Sequence, residues 1–185
     1  MTKHDNLWAP WRMNYILGLD SEAKPEKKDN SESVEVEKEC FICHNLANPQ
    51  DDDENLVLWR TEHSIVILNR YPYNNGHLLI APKEHISGLE KSSDEQLLDM
   101  MKLIREAKKA LSLAIRPQGF NVGMNFSRCA GAGLPGHMHI HVVPRWNGDT
   151  NFMSVCSETK VISQSLIELL ELLKKISGEN KLPCL

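Results

Sequence analysis

The segment Gly136-His137-Met138-His139-Ile140-His141-Val142-Val143-Pro144-Arg145 alternates imidazole and apolar side chains with period two. Residues at i, i+2 and i+4 share a face on a strand and not on a helix. Alternate α-carbons on a strand are separated by roughly 6.5–7 Å. The pattern therefore predicts a strand over 137–143, with His137, His139 and His141 on one face and Met138, Ile140 and Val142 in a core. A row of imidazoles is poor packing material, since each one buried without a partner costs about 1–3 kcal/mol. This face is reserved for chemistry, and two uses are open. Histidines can hold a catalytic metal, although this spacing spreads the side chains too far for one ion to collect all three. A neutral imidazole can also attack phosphorus and carry the phosphoryl group as a phosphoramidate. That use needs one ring nitrogen free and the other tied to an acceptor that fixes the tautomer.

The flanking sequence supplies the rest of a domain. Leu56–Trp59 and Ser64–Leu68 read as a strand hairpin, and His77–Ala81 as a further strand ended by Pro82. Over about 94–115, Leu97, Met101, Ile104, Ala107 and Leu111 form one apolar helical face, with Ser92 and Glu95 at capping-box spacing and Pro117 beyond the end. Residues 119–126 alternate as a strand, and about 161–177 read as a last helix through Leu166, Ile167, Leu169, Leu170 and Leu173. Strands, a long helix, strands and a helix predict an α+β fold with a largely antiparallel sheet. The divisions expected are a docking or interface segment at 1–18, a charged linker or mobile insertion at 19–39, the domain proper at 40–178 and a tail at 179–185. The first is aromatic and apolar for a chain end, and the second is Glu-, Lys- and Ser-rich.

Composition removes several classes. A net charge of −4 argues against a nucleic-acid binder, while a local site can still take a small anion. The polar start leads into no apolar stretch of a secretory signal, and no apolar run reaches membrane-spanning length. A soluble, cytoplasmic protein is expected. Five cysteines do not suggest a disulfide framework, and the pair Cys40-Phe41-Ile42-Cys43 points to metal or redox chemistry.

The run His137–Val143 resembles the His-φ-His-φ-His-φ-φ signature of the histidine triad superfamily, where φ is apolar. Further pieces stand at that family's spacing. Gly76-His77 opens an apolar strand, Asn69 lies eight residues before His77, and Asn125 precedes the small-residue loop Ser127–Gly133. Glycines such as Gly131 and Gly133 let backbone N–H groups approach a phosphate. The resemblance covers about residues 40–146. It implies a nucleotide-binding enzyme with His139 as nucleophile, His141 on the phosphate, His77 and Asn125 as orienting groups, and Asn69 on the ribose hydroxyls. It also implies a structural Zn²⁺ held by Cys40, Cys43, His85 of Lys83-Glu84-His85, and His137, with His44 left out. Such a closed site would anchor the triad strand from one end and help to position His139.

The resemblance departs from the family at Gly133-Leu134-Pro135-Gly136, where many members carry a Gln or Ser against the leaving oxygen; here backbone donors have to serve. Leu7–Ile16, Asn151–Val155 and Thr159–Ile162 resemble the bacterial diadenosine tetraphosphate phosphorylase branch. That likeness implies adenylyl transfer through His139, releasing ATP, with inorganic phosphate completing the reaction to ADP. Water in place of phosphate gives a hydrolase. Mg²⁺ accompanies such polyphosphates, and relatives of this kind are homodimers. A phosphoramidate hydrolase and a catalytically weak binding module are the competing readings. A nucleotidyl-sugar transferase is disfavoured because the third triad position is His141 rather than Gln.

Overall fold

The computed structural model describes residues 40–149 and 161–185. The segments 1–18 and 19–39, and the likenesses at 7–16, 151–155 and 159–160, lie outside the described residues. The elements in chain order are α1 (Phe41–Ala47), β1 (Val57–Arg60), β2 (Ser64–Leu68), β3 (Leu78–Pro82), α2 (Asp94–Ile115), β4 (Gly119–Met124), β5 (Ile140–Arg145) and α3 (Leu166–Asn180). The strands form one sheet in the order β1-β2-β3-β5-β4, and every neighbouring pair is antiparallel. The α+β expectation holds.

The two faces of the sheet are used differently. Val66, Leu68, Leu78, Ile80, Ile140 and Val142 point to one face, where α2 and α3 cover them. Met100, Leu103, Ala107, Ala110 and Leu111 come from α2, and Leu169, Leu170 and Leu173 from α3. Each large aliphatic side chain buried there contributes about 1.5–3 kcal/mol. On the opposite face, Val57, Ile65, Ile67 and Ala81 pack with Cys40 and Ile42 of the α1 region. That cover extends over the β1–β2–β3 side. Beyond it, the same face carries Leu79 and, directly opposite in the ladder, His141.

Several boundaries differ from the sequence expectation, each for a local reason. The last strand enters the ladder at Ile140 rather than at 137. Before that point the chain bonds elsewhere, with the N–H of Met138 donating to the carbonyl of Ile86 at 2.7 Å. The alternation survives, since Met138 still packs in the core. Strand β4 stops at Met124 because Ser127, at φ 69°, turns the chain into the glycine loop.

Helix α2 spans the expected residues, but its cap is Ser93 with Gln96 instead of Ser92 with Glu95. Ser93 is extended (φ −76°, ψ 162°), which brings its hydroxyl to the N–H of Gln96 while the Gln96 side chain returns to the N–H of Ser93. Most of the expected apolar face of α2 meets the core, with Ala107 and Leu111 buried and Leu97 and Ile104 packed against it, but the centre of the buried stripe is shifted. Met100, Leu103, Ala107, Ala110 and Leu111 face the sheet, whereas Met101 is 61% exposed. This helix carries apolar side chains around much of its surface, and the sheet takes the stripe whose two alanines allow close approach. Helix α3 starts after Ser165 and runs to Asn180, so Val161–Gln164 precede it rather than forming its first turn. No helix among the described residues is long and apolar enough to cross a membrane.

One glycine controls how β3 is entered. Gly76 has φ +78°, and a Cβ there would lie 2.6 Å from Ile115 Cδ1. Gly76→Ala is expected to destabilise the fold by about 1–3 kcal/mol from backbone strain alone, with the steric clash adding to it. Urea unfolding of the two proteins reads this difference, and equal midpoints would contradict it.

Candidate active site and metal centre

The entry to β3, the start of β5 with the segment before it, and the turn Tyr71–Gly76 bring His77, His139 and His141 together on the open part of the sheet face. The rings of His77 and His141 are 5.1 Å apart and those of His139 and His141 are 4.9 Å apart. His77 is fully buried, His139 is buried and His141 is half-buried.

The hydrogen bonds determine which nitrogen carries each proton. The backbone N–H of Tyr73 can only donate, and it meets His77 Nδ1 at 3.0 Å. Asn69 Nδ2 lies 3.2 Å from the same nitrogen. His77 therefore carries its proton on Nε2 and donates to His141 Nδ1 at 2.9 Å. The proton of neutral His141 is then on Nε2. His139 is set separately: its Nδ1 donates to the carbonyl of His137 at 2.9 Å. In neutral His139, Nε2 is left with the lone pair. A nucleophilic imidazole beside an imidazole N–H donor is an arrangement suited to attack on a phosphoryl group.

Burial holds His141 down at about 4, with the charge of His139 acting in the same direction. The fold thus favours the neutral ring. That contribution to stability is complete above the ordinary value of 6.5 and is lost as pH falls from 6.5 toward 4.

Asn125 is tied to the glycine loop, its Nδ2 donating to the carbonyl of Gly131 at 3.4 Å. Gly131 adopts φ +88°, and a Cβ added at Gly133 or at Gly123 would meet nothing within 4 Å. The side chain absent at Gly133 is therefore not replaced by a packed neighbour. Gly123 stands directly opposite His141 in the ladder and leaves room beside that ring.

Asn69 does more than touch His77. It also lines a cavity of about 320 Å³ walled by Phe41, Leu56, Leu79 and Tyr71. Such a volume is at the small end of ligand pockets. His44 lines this cavity too and stands outside the metal group. Sequence reasoning missed Phe41 and Tyr71 as walls; the available signal was an aromatic residue directly after Cys40 and another two residues after Asn69.

The second cluster is Cys40, Cys43, His85 and His137, whose donor atoms all lie within 4.8 Å of one another. Cys40 Sγ is 3.3 Å and Cys43 Sγ 3.5 Å from His137 Nδ1, and Cys43 Sγ is 3.1 Å from His85 Nδ1. Sulfur and nitrogen bound to one tetrahedral Zn²⁺ stand about 3.6 Å apart, given typical bond lengths. His137 Nε2 donates to the carbonyl of Pro82 at 2.8 Å, which leaves Nδ1 as the ligand nitrogen. Burial, with the charges of His85 and His139, holds His137 down at about 4 against that carbonyl's opposing pull, so it is neutral as a ligand must be. The donor set and spacing fit a closed zinc site. Gly136 packs its backbone against His85, where a Cβ would be 3.2 Å from Nε2. Cys40, Cys129 and Cys184 are free thiols.

Two outcomes are expected. Between pH 6.5 and 4 the stability of His141→Gln, which cannot titrate, should fall less steeply than that of the parent chain, as read by denaturant midpoints; parallel slopes would contradict the assigned shift. Cys40→Ser should lose bound zinc in elemental analysis and unfold at lower temperature, whereas full zinc content would remove Cys40 from the ligand set.

The HIT domain model matches residues 50–148. An AP-4-A phosphorylase of Mycobacterium tuberculosis is 39% identical over 90% of this chain and 81% of its own length. An adenosine 5'-monophosphoramidase of Schizosaccharomyces pombe is 33% identical over 58% of this chain and 75% of its own. Among solved structures, a Zn-bound histidine triad family protein from Mycobacterium smegmatis superposes with a TM-score of 0.63 at 23% identity, covering 78% of this chain and 97% of that one. The chain belongs to the histidine triad (HIT) family.

Proposed function

We propose that this protein is a nucleotidyltransferase that cleaves diadenosine tetraphosphate by phosphorolysis, through an adenylylated His139. The observation that carries the reading is the proton arrangement. His139 Nδ1 is committed to the carbonyl of His137, which leaves Nε2 to attack, and His141 is left with a proton on Nε2 to give to a phosphoryl oxygen. The likeness to the M. tuberculosis AP-4-A phosphorylase over most of both chains supports the substrate.

In the first step His139 Nε2 bonds to the α-phosphorus, and the bond to the bridging oxygen breaks with that electron pair leaving on ATP. The ring keeps its Nδ1 proton on the carbonyl of His137, so the positive charge that develops on the imidazole has an acceptor beside it. In the second step an oxygen of inorganic phosphate attacks the same phosphorus, the N–P bond breaks and ADP leaves. Water in place of phosphate would yield AMP. The cavity beside Asn69 takes the nucleoside, with Phe41 and Tyr71 at its walls and Asn69 on the ribose hydroxyls. Asn125 and the backbone of Gly131 and Gly133 face the phosphates, and Mg²⁺ enters as a counterion of the polyphosphate. His77 sets the tautomer of His141.

Zn²⁺ at Cys40, Cys43, His85 and His137 would supply a rigid anchor, with all four positions filled by protein. A reducing cytoplasm would keep both thiols available for it. A homodimer is part of the same reading. The outer face of α2 leaves Leu98 exposed, Met101 and Leu113 are exposed along a groove of about 870 Å³, and β4 is an edge strand with Val122 exposed. A second copy would cover both.

The test is a product assay with diadenosine tetraphosphate. ADP plus ATP should form only when phosphate is present, and His139→Ala should lower kcat by at least about 10³-fold, as loss of a covalent nucleophile does. AMP plus ATP without phosphate would make the protein a hydrolase on the same mechanism. No turnover from a protein that binds nucleotide would overturn the substrate assignment.

A further inference from the structure

Tyr73 belongs to none of the motifs that identify the site, yet it contacts the pair of histidines that handle the proton. Its ring centroid lies 4.6 Å from that of His77 at 35°, and 5.5 Å from that of His141 at 21°, a stacked arrangement. Its backbone N–H is the donor that settles the tautomer of His77. One residue thus fixes the proton of His77 through the main chain and covers the rings of both histidines through the side chain.

The other surroundings of His141 explain why a cover is needed. The χ2 torsion of histidine is broad and roughly two-fold, so packing has to select one ring orientation. His139 meets His141 edge-on, at 67°. Gly123, directly opposite on β4, places no side chain against it. Ring flipping is therefore opposed by the hydrogen bond from His77 and by the stack with Tyr73. Tyr73 is itself 51% exposed, which a residue present only to fill a core would not be.

We propose that Tyr73 is a positioning residue for adenylyl transfer, whose ring stacks on His141 and keeps its Nε2–H presented to the reacting phosphate. The kinetic half of this inference rests on the reaction proposed above. The structural half does not, because the ring orientation of His141 can be observed without substrate. With the stack removed, the His141 ring flips more often, its bond from His77 breaks, and the proton is no longer held on Nε2.

The test pairs two readouts on the full, zinc-loaded chain. Nitrogen-15 spectra of histidine-labelled protein report the tautomer of His141, and steady-state assays with diadenosine tetraphosphate and phosphate report kcat and KM. Tyr73→Phe keeps the stacking ring and should retain both the single Nε2–H tautomer and the parent kcat. Tyr73→Leu keeps apolar bulk without the ring, and should show tautomer averaging at His141 with kcat lowered roughly 10- to 100-fold while KM changes far less. A Tyr73→Leu protein with one Nε2–H tautomer and parental kcat would overturn the proposal, as would equal losses in the Phe and Leu variants. Should Tyr73→Leu not fold, Tyr73→Met meets the same criteria. A parent chain without turnover would count against the proposed reaction, while the tautomer comparison would still decide the role of Tyr73.

Discussion

The site depends on the hydrogen bond from His139 Nδ1 to the main-chain carbonyl of His137. An imidazole can attack only through an unprotonated nitrogen, and this bond decides which nitrogen that is. The acceptor is a backbone atom of a residue whose own side chain is committed at both ends, with Nε2 on the carbonyl of Pro82 and Nδ1 toward Cys40 and Cys43. The orientation of the proposed nucleophile is therefore tied to β3 and to the candidate metal-ligand cluster through a single residue. A loose His137 would loosen the acceptor for His139 as well. A group that acts at a distance from the chemistry can matter to it in this way.

The sheet makes the arrangement affordable in energy. Its helix-covered face buries most of the aliphatic side chains, so the opposite face is free to carry polar groups. Where that second face must be closed, the α1 region closes it with Cys40 and Ile42, and the same short segment delivers the thiols. Polar residues that are buried at the junction have partners: His77 with Tyr73 and His141, His137 with Pro82 and the cysteines. This satisfaction is what lets imidazoles sit in a region where an unpartnered polar group would cost about 1–3 kcal/mol.

Much of the fold was legible because period-two and helical patterns are local. The alternation from His137 to Val143 placed Met138, Ile140 and Val142 in the core although only the later residues join the ladder. The span of α2 was readable and so was most of its facing, since Leu97, Ile104, Ala107 and Leu111 lie in or against the core; Met101 does not, because apolar residues surround much of that helix and the sheet selects among them. The cap moved by one residue, from Ser92 to Ser93, since two adjacent serines offer equivalent chemistry and the backbone decides. In the site, the nitrogen assignments and the stack of Tyr73 arise from tertiary contacts that spacing does not encode. The metal group joins Cys40 to His137 across 97 residues, a distance over which only the family resemblance linked them.

The proposed reaction turns on covalent adenylylation of His139 Nε2. The direct measurement is to mix the zinc-loaded protein with diadenosine tetraphosphate in the absence of phosphate, digest it without acid, and locate any adenylyl group by mass spectrometry. One adenylyl group is expected on the peptide that contains His139, assigned to that residue by fragmentation and discharged by added phosphate with formation of ADP. An adduct on His141 or on another residue, or ATP released with no adduct at any time, would contradict it.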